Sequence, residues 1–228
     1  MQKLVAMQTV RVWDLPIRLF HWTLVLCVIG LVVSGNVGGG AMEWHLRFGQ
    51  AVLALLLFRI IWGLVGGRWS RFSSFLYAPK TLIAYLRGER KPEWTVGHNP
   101  LGALSVFALL GFLLLQVGTG LMSDDDIATT GPLTALVSGA TVKFATRYHS
   151  TVGKIALIVL VLLHIGAIVF YWRRKKENLV RPMMVGDKTL PASPAVEPSR
   201  DSVASRFFAA LVLAASVAFS FWVFRLGS

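Results

Sequence analysis

Residues 149–172 read HSTVGKIALIVLVLLHIGAIVFYW. Apart from Lys154 this stretch carries no formal charge, and it is longer than the about 20 apolar residues with which a helix crosses a bilayer. It opens on His149 and is interrupted by His164, fifteen residues further on. At about 1.5 Å of rise and about 100° of turn per residue, the two rings lie about 22 Å apart along the axis and share a broad face. One helix can therefore offer an imidazole to each of two layers of a membrane bundle.

Four further stretches are apolar enough to span: residues 19–34, 45–65, 100–122 and 207–224. The second carries Arg59 in its inner part, the third carries no charge, and the last is bracketed by Arg206 and Arg225. The composition agrees. Hydrophobic residues make up 55% of the chain and charged residues 15%, against about 25% charged in soluble domains. The first stretch lacks a small-x-small cleavage site near its end and is expected to be a retained helix rather than a cleaved leader.

The net charge of +12 does not point to nucleic acid. The cations sit in the connections between apolar runs, which is the pattern of membrane orientation. Residues 1–18 hold three Lys or Arg, including Lys3, residues 66–99 hold six, and residues 173–206 hold eight. Residues 123–148 hold only Lys143 and Arg147, next to the acidic run Asp124–Asp126. Because cations stay on the cytoplasmic side, the N-terminus is expected inside and the C-terminus outside a bacterial inner membrane. The single cysteine, Cys27, allows no internal disulfide and reads as a small core residue, and no Cys-x-x-Cys-His is present for covalent haem attachment.

The expected fold is all-α: an integral membrane four-helix bundle binding two haems, plus a fifth C-terminal transmembrane helix. Residues 1–178 form the cytochrome domain. Residues 179–205, with Pro182, Pro191, Pro194 and Pro198, read as a cytoplasmic linker with little fixed structure, and residues 206–228 hold the last helix. That helix carries Ala209, Ala210, Ala214, Ala215 and Ala218, small residues suited to close packing against another helix of this bundle or of a partner.

The topology sorts the histidines. His21 and His164 fall in the inner layer, and His45 and His149 in the outer layer. Ionisable residues inside a membrane are functional as a rule. Two pairs contributed by three helices suit two b-type haems, each iron held by two neutral imidazoles with no open position, which favours electron transfer over oxygen binding. Haem propionates are anionic and want cations. Arg18 and Arg59 lie near the inner layer, and Arg47, Arg147 and Lys154 near the outer one. His98 has no layer partner left; at the inner start of the third span it is placed to hydrogen-bond a quinone carbonyl or relay a proton. Asn99 reads as the cap of that helix and Pro100 as its first residue. The tryptophans fall mostly at the predicted membrane boundaries, as interfacial anchors.

Four segments carry a family resemblance: VWDLPIRLFHWTLVLCVIGLVVSG at 12–35, FRIIWGLVGGRWSRF at 58–72, GHNPLGALSVFALLGFLLLQVGTGL at 97–121, and residues 149–171. Together they resemble the bacterial cytochrome b561 family, which is related to the cytochrome b subunit of nickel–iron hydrogenases. The likeness covers about residues 10–173. It implies a four-helix core with two haem b groups on histidines matching His21, His45, His149 and His164. It also implies exchange of electrons between membrane quinone or quinol and a partner, either a periplasmic c-type cytochrome or an oxidoreductase subunit. The fifth helix departs from the simplest four-helix members. The alternatives to a transmembrane electron carrier are the membrane anchor of a hydrogenase-like complex, a stand-alone superoxide:quinone oxidoreductase, and a haem-free membrane scaffold.

Overall fold

A computed structural model describes residues 6–192 and 195–227; Lys3 and Pro194 lie outside them. A short strand β1 (Met7–Arg11) leads into α1 (Leu15–Val37), a single turn of tight helix at Gly39–Ala41 and α2 (Met42–Val65). Next come α3 (Pro79–Leu86) and α4 (Pro100–Leu121). An amphipathic α5 (Gly139–Arg147) then runs through a π-helical turn (Tyr148–Gly153) into α6 (Lys154–Arg174). A short α7 (Val180–Val185), a strand β2 (Asp187–Pro191) and α8 (Val203–Arg225) complete the chain. Among the described residues five helices are long and apolar enough to cross a membrane. Large apolar side chains such as Leu26, Leu163 and Phe221 stand more than half exposed on them. A surface of that kind is covered by lipid, and the chain is a multi-pass membrane protein.

The chain divides into two compact units. One comprises the chain up to Leu19, Ile60–Phe107 and His164–Ala210; the other comprises Phe20–Arg59, Ala108–Leu163 and Leu211–Ser228. The first is organised by a buried carboxylate. Asp14 is fully buried at the start of α1 and caps it, accepting the Ile17 amide N–H on Oδ1 at 2.9 Å. The same carboxylate accepts the Trp62 indole N–H at 3.2 Å and the Ser70 hydroxyl at 2.6 Å. It thus ties α1, the end of α2 and the turn after it. Gly67 lies against it so closely that any side chain there would collide with Asp14 Oδ2.

The region after α6 is more ordered than the expected linker with little fixed structure. β2 pairs antiparallel with β1 in the register Met7↔Pro191 to Arg11↔Asp187, burying Val10 and Leu190. Arg11 closes the ladder with an ion pair to Asp187 and a second to Asp201. Ser199 donates to the Val12 carbonyl at 2.8 Å and accepts the Trp69 amide N–H. The proline-rich composition therefore marks an extended segment pinned by side-chain hydrogen bonds rather than a free one.

α8 packs against α2. In the first unit Phe208 meets Trp62 with ring centroids 6.3 Å apart. In the second, the buried Ser220 hydroxyl donates to the Gln50 main-chain carbonyl at 2.8 Å. The covered positions Ala209, Val212, Ser216, Ser220 and Val223 recur every three or four residues, so one face of α8 is committed to the contact.

Asp14→Ala leaves an amide, an indole and a hydroxyl without their acceptor in a buried place. A loss of about 3 kcal/mol is expected. Asp14→Asn, which keeps one acceptor oxygen, should lose about half as much. Unfolding in dodecyl sulfate followed by circular dichroism measures both.

Candidate functional site

Within the second unit a cavity of about 440 Å³ opens between α1, α2, α4 and the π-helical turn ahead of α6. Apolar side chains including Val28, Leu31, Leu113 and Leu157 form most of its wall, and His45 and His149 enter it from two helical segments. Their ring centroids lie 6.0 Å apart with the planes at 87°.

Each ring is held by the nitrogen that does not serve the cavity. His45 Nδ1 lies 3.1 Å from the Leu31 carbonyl of α1. His149 Nδ1 lies 2.8 Å from the Gln116 carbonyl of α4. A carbonyl oxygen can only accept, so both Nδ1 atoms carry the proton and both Nε2 atoms keep a free lone pair. The Ser34 hydroxyl, 3.4 Å from His45 Nδ1, is turned to its own helix through the Gly30 carbonyl.

Local sequence makes this arrangement fit. Gly35 faces His45, and a Cβ there would stand 3.0 Å from the ring; at Gly120 a Cβ would stand 2.7 Å from His149 Cε1. His149 lies in the π-helical turn, a feature that widens a helix and frees main-chain groups. Gln116 uses that opening, its Nε2 donating to the His149 carbonyl at 2.8 Å. Gln116 and His149 are thus bonded in both directions. Gln116 was not singled out from sequence, yet a lone amide within the uncharged run 100–121 was the available signal. The fourth span was expected to begin at His149. The helix instead starts at Gly139, where Ser138 caps a polar first segment by accepting the Thr141 amide N–H.

The donor set fits a haem. Metal–imidazole bonds are about 2 Å long, and two of them with two ring radii of about 1 Å each span about 6 Å. That is the separation observed between the rings. Among the described residues no set of three or more His, Cys, Asp or Glu is placed to hold a bare metal ion. Two opposed imidazoles in an apolar cavity suit a metal that brings its own four equatorial nitrogens.

Of the expected cations, Lys154 lines the cavity. Arg47 does not; it pairs with Glu43 and lies over the Trp44 ring at 4.9 Å. Arg147 is not among the lining residues, whereas Asp124 and Asp125 are. Arg59 is 2% exposed within α2. In the first unit Arg18 donates to the Met184 carbonyl at 2.6 Å.

His21 belongs to the second unit and His164 to the first. His21 meets the Trp22 ring edge-on at 5.0 Å. His164 Nδ1 lies 3.4 Å from the Ser105 hydroxyl. The His98 ring is flanked by Phe75 at 4.4 Å and Trp13 at 4.7 Å, and its carbonyl accepts the Tyr77 hydroxyl. Asn99 caps α4 through Gly102 N–H and also donates to the Tyr171 hydroxyl, which lies 2.5 Å from that of Tyr85.

The sequence profile of the prokaryotic cytochrome b561 family matches residues 12–186. A probable Ni/Fe-hydrogenase B-type cytochrome subunit of Bradyrhizobium diazoefficiens is 27% identical, over 82% of this chain and 89% of that one. The protein of the same name in Azotobacter vinelandii is 29% identical, over 81% and 91%. A probable Ni/Fe-hydrogenase 1 B-type cytochrome subunit of Escherichia coli is 28% identical over 46% and 55%. α8 lies beyond the family match.

Gly120→Val should push the His149 ring off its carbonyl and lower the haem retained per chain at least severalfold. Gly111→Val on the same helix, where a Cβ meets nothing within 4 Å, should leave it unchanged. Absorbance of the purified proteins compares them. At the cavity rim the amide N–H groups of Thr129, Ala128 and Ile127 hold the Asp125 carboxyl down to about 2. The order this gives the loop is present above the ordinary aspartate value of 3.8 and is lost as pH falls through about 2. The Asp125 carboxyl carbon resonance should titrate near that lower value.

Proposed function

The chain belongs to the prokaryotic cytochrome b561 family, and from that premise we propose that it carries two haem b groups and moves electrons across the membrane between quinone and a redox partner. That it is a membrane b-type cytochrome of electron transfer follows from the family. The finer reading is carried by one observation: His45 and His149 face each other at metal-bridging distance, each with Nδ1 bound to a main-chain carbonyl.

In this reading His45 and His149 would hold the outer haem, and His21 and His164, paired on the sequence alone, would hold the inner one. A bound haem supplies one-electron oxidation and reduction. The residues of this chain do the rest. The Leu31 and Gln116 carbonyls fix the tautomers, so Nε2 is available without losing a proton. The apolar wall formed by side chains such as Val28, Leu31, Leu113 and Leu157 would exclude water from the group that His45 and His149 hold. Lys154 at the cavity margin offers its ammonium to a propionate. His98, its ring flanked by Phe75 and Trp13, is the residue that would donate to a quinone carbonyl or relay a proton.

The partner is an oxidoreductase subunit of the hydrogenase type, placed on the same side as the outer haem. The names of the relatives support this choice, since those in Bradyrhizobium and Azotobacter align over nearly their full length. A stand-alone superoxide oxidoreductase would need a cationic mouth. The cavity rim instead carries Asp124 and Asp125, and Arg47 is engaged by Glu43. The N-terminus is cytoplasmic in a bacterial inner membrane, on the strength of the distribution of Lys and Arg.

Pyridine haemochrome absorbance of detergent-purified protein should give two haems per chain, falling to one in His149→Ala and one in His164→Ala. A wild-type value of one, with His164→Ala unaffected, would remove the inner haem and leave the outer.

A further inference from the structure

We propose that Trp172, Arg173 and Lys176, at the C-terminal end of α6, bind the phosphodiester headgroup of an anionic phospholipid. These three side chains line a shallow recess of about 360 Å³, separate from the histidine cavity. The apolar run of α6 ends in Val169, Phe170, Tyr171 and Trp172 and is followed at once by Arg173, Arg174, Lys175 and Lys176. Four cations directly after the apolar run of a spanning helix, with an exposed tryptophan before them, are the composition that anionic headgroups recognise.

The backbone adds an independent observation. α6 ends on a pair of hydrogen bonds to the Tyr171 carbonyl, from the amide groups of Lys175 and Glu177. This closure needs a left-handed residue, and Lys176 takes it at φ 57°. Glycine adopts that conformation freely and lysine rarely does. The lysine at the helix cap thereby shares the recess with Trp172 and Arg173.

The charges in the recess are also uncompensated by neighbouring acids. Glu177, the adjacent carboxylate, is drawn to Lys188 at 2.7 Å. Among the described residues no ion pair engages Arg173, Arg174, Lys175 or Lys176. Both a lipid headgroup and free phosphate could supply the anion. The exposed Val169 and Phe170, one turn back along the helix, offer apolar surface to acyl chains, which free phosphate lacks.

The test is native mass spectrometry of delipidated full-length protein titrated with phosphatidylglycerol, phosphatidylcholine or inorganic phosphate. Phosphatidylglycerol should bind, phosphatidylcholine should bind at least about fivefold more weakly, and phosphate at equal concentration should not compete. Lys176→Gly and Arg173→Gln should each lower phosphatidylglycerol affinity about fivefold. Lys176→Gly suits the left-handed backbone, and unchanged haem absorbance checks its fold, so that variant alone decides if Arg173→Gln is poorly folded. Equal binding of the two lipids, or a Lys176→Gly variant that binds phosphatidylglycerol as the wild type does, would overturn the proposal. Full competition by inorganic phosphate would overturn it in favour of a free-anion site.

Discussion

The histidine cavity rests on two hydrogen bonds from imidazole Nδ1–H to main-chain carbonyls, at Leu31 and at Gln116. A helix in lipid uses its carbonyls for its own ladder, but each oxygen has a second lone pair. The two histidines take that spare capacity on neighbouring helices. The bonds require close approach, so the facing positions are Gly35 and Gly120, where no side chain keeps the rings away. They also require His149 to leave the regular α pitch, and the π-helical turn at Tyr148–Gly153 provides that. Gln116 completes the arrangement by donating back to His149. Remove the two bonds and the glycines, the wide turn and the amide have no common purpose.

The first unit solves a different problem with carboxylates. Asp14 and Asp201 both stand at the start of α1, where the helix presents unpaired amide groups and a partial positive charge. Burial pushes the Asp14 carboxyl up, against the hydrogen bonds from Ser70, Ile17 and Trp62. Burial acts on Asp201 in the same direction, yet the hydrogen bond from Arg206, the Leu15 amide and the Arg11 charge hold it below the ordinary carboxylate range. Asp201 is the member held by cations. Through Arg11 and Arg206 it connects β1 with the start of α8. This is how a helix outside the family match becomes part of the same protein.

Much of this was legible in the sequence. The five spans follow from the length and apolarity of the runs, and the histidines stand out because nothing else ionisable of their kind sits at those depths. The start of α1 at Leu15, ahead of the apolar run from residue 19, was not read, although Trp-Asp-Leu-Pro at 13–16 holds its cap, Asp14. The π-helical turn was not legible, because a uniform α pitch was assumed across 149–164. The order of 180–191 was missed because its strand pairs with a partner about 180 residues away, and composition alone reads proline and serine as freedom. The seating of Arg47 on Glu43 was hidden for a local reason: a residue four positions back on the same helix competes for the guanidinium.

Lipid explains why so few bonds do so much. Between helices in a bilayer, apolar contact offers little net drive, since lipid tails are as apolar as leucine. The span Gly139–Arg174, which carries two of the histidines, shows this most plainly: it is the least covered of the five. In the second unit it is held by what α4 offers His149, the Gln116 carbonyl and amide; in the first, the Ser105 hydroxyl lies beside His164. α2, the most covered span, carries His45 and also receives Ser220 from α8 on the Gln50 carbonyl. Directional polar contacts at small residues place the rings, and the apolar faces are left to the membrane. The placement of His45 and His149 should therefore be far more sensitive to Gly35, Gly120 and Gln116 than to any leucine on the lipid side of the same helices.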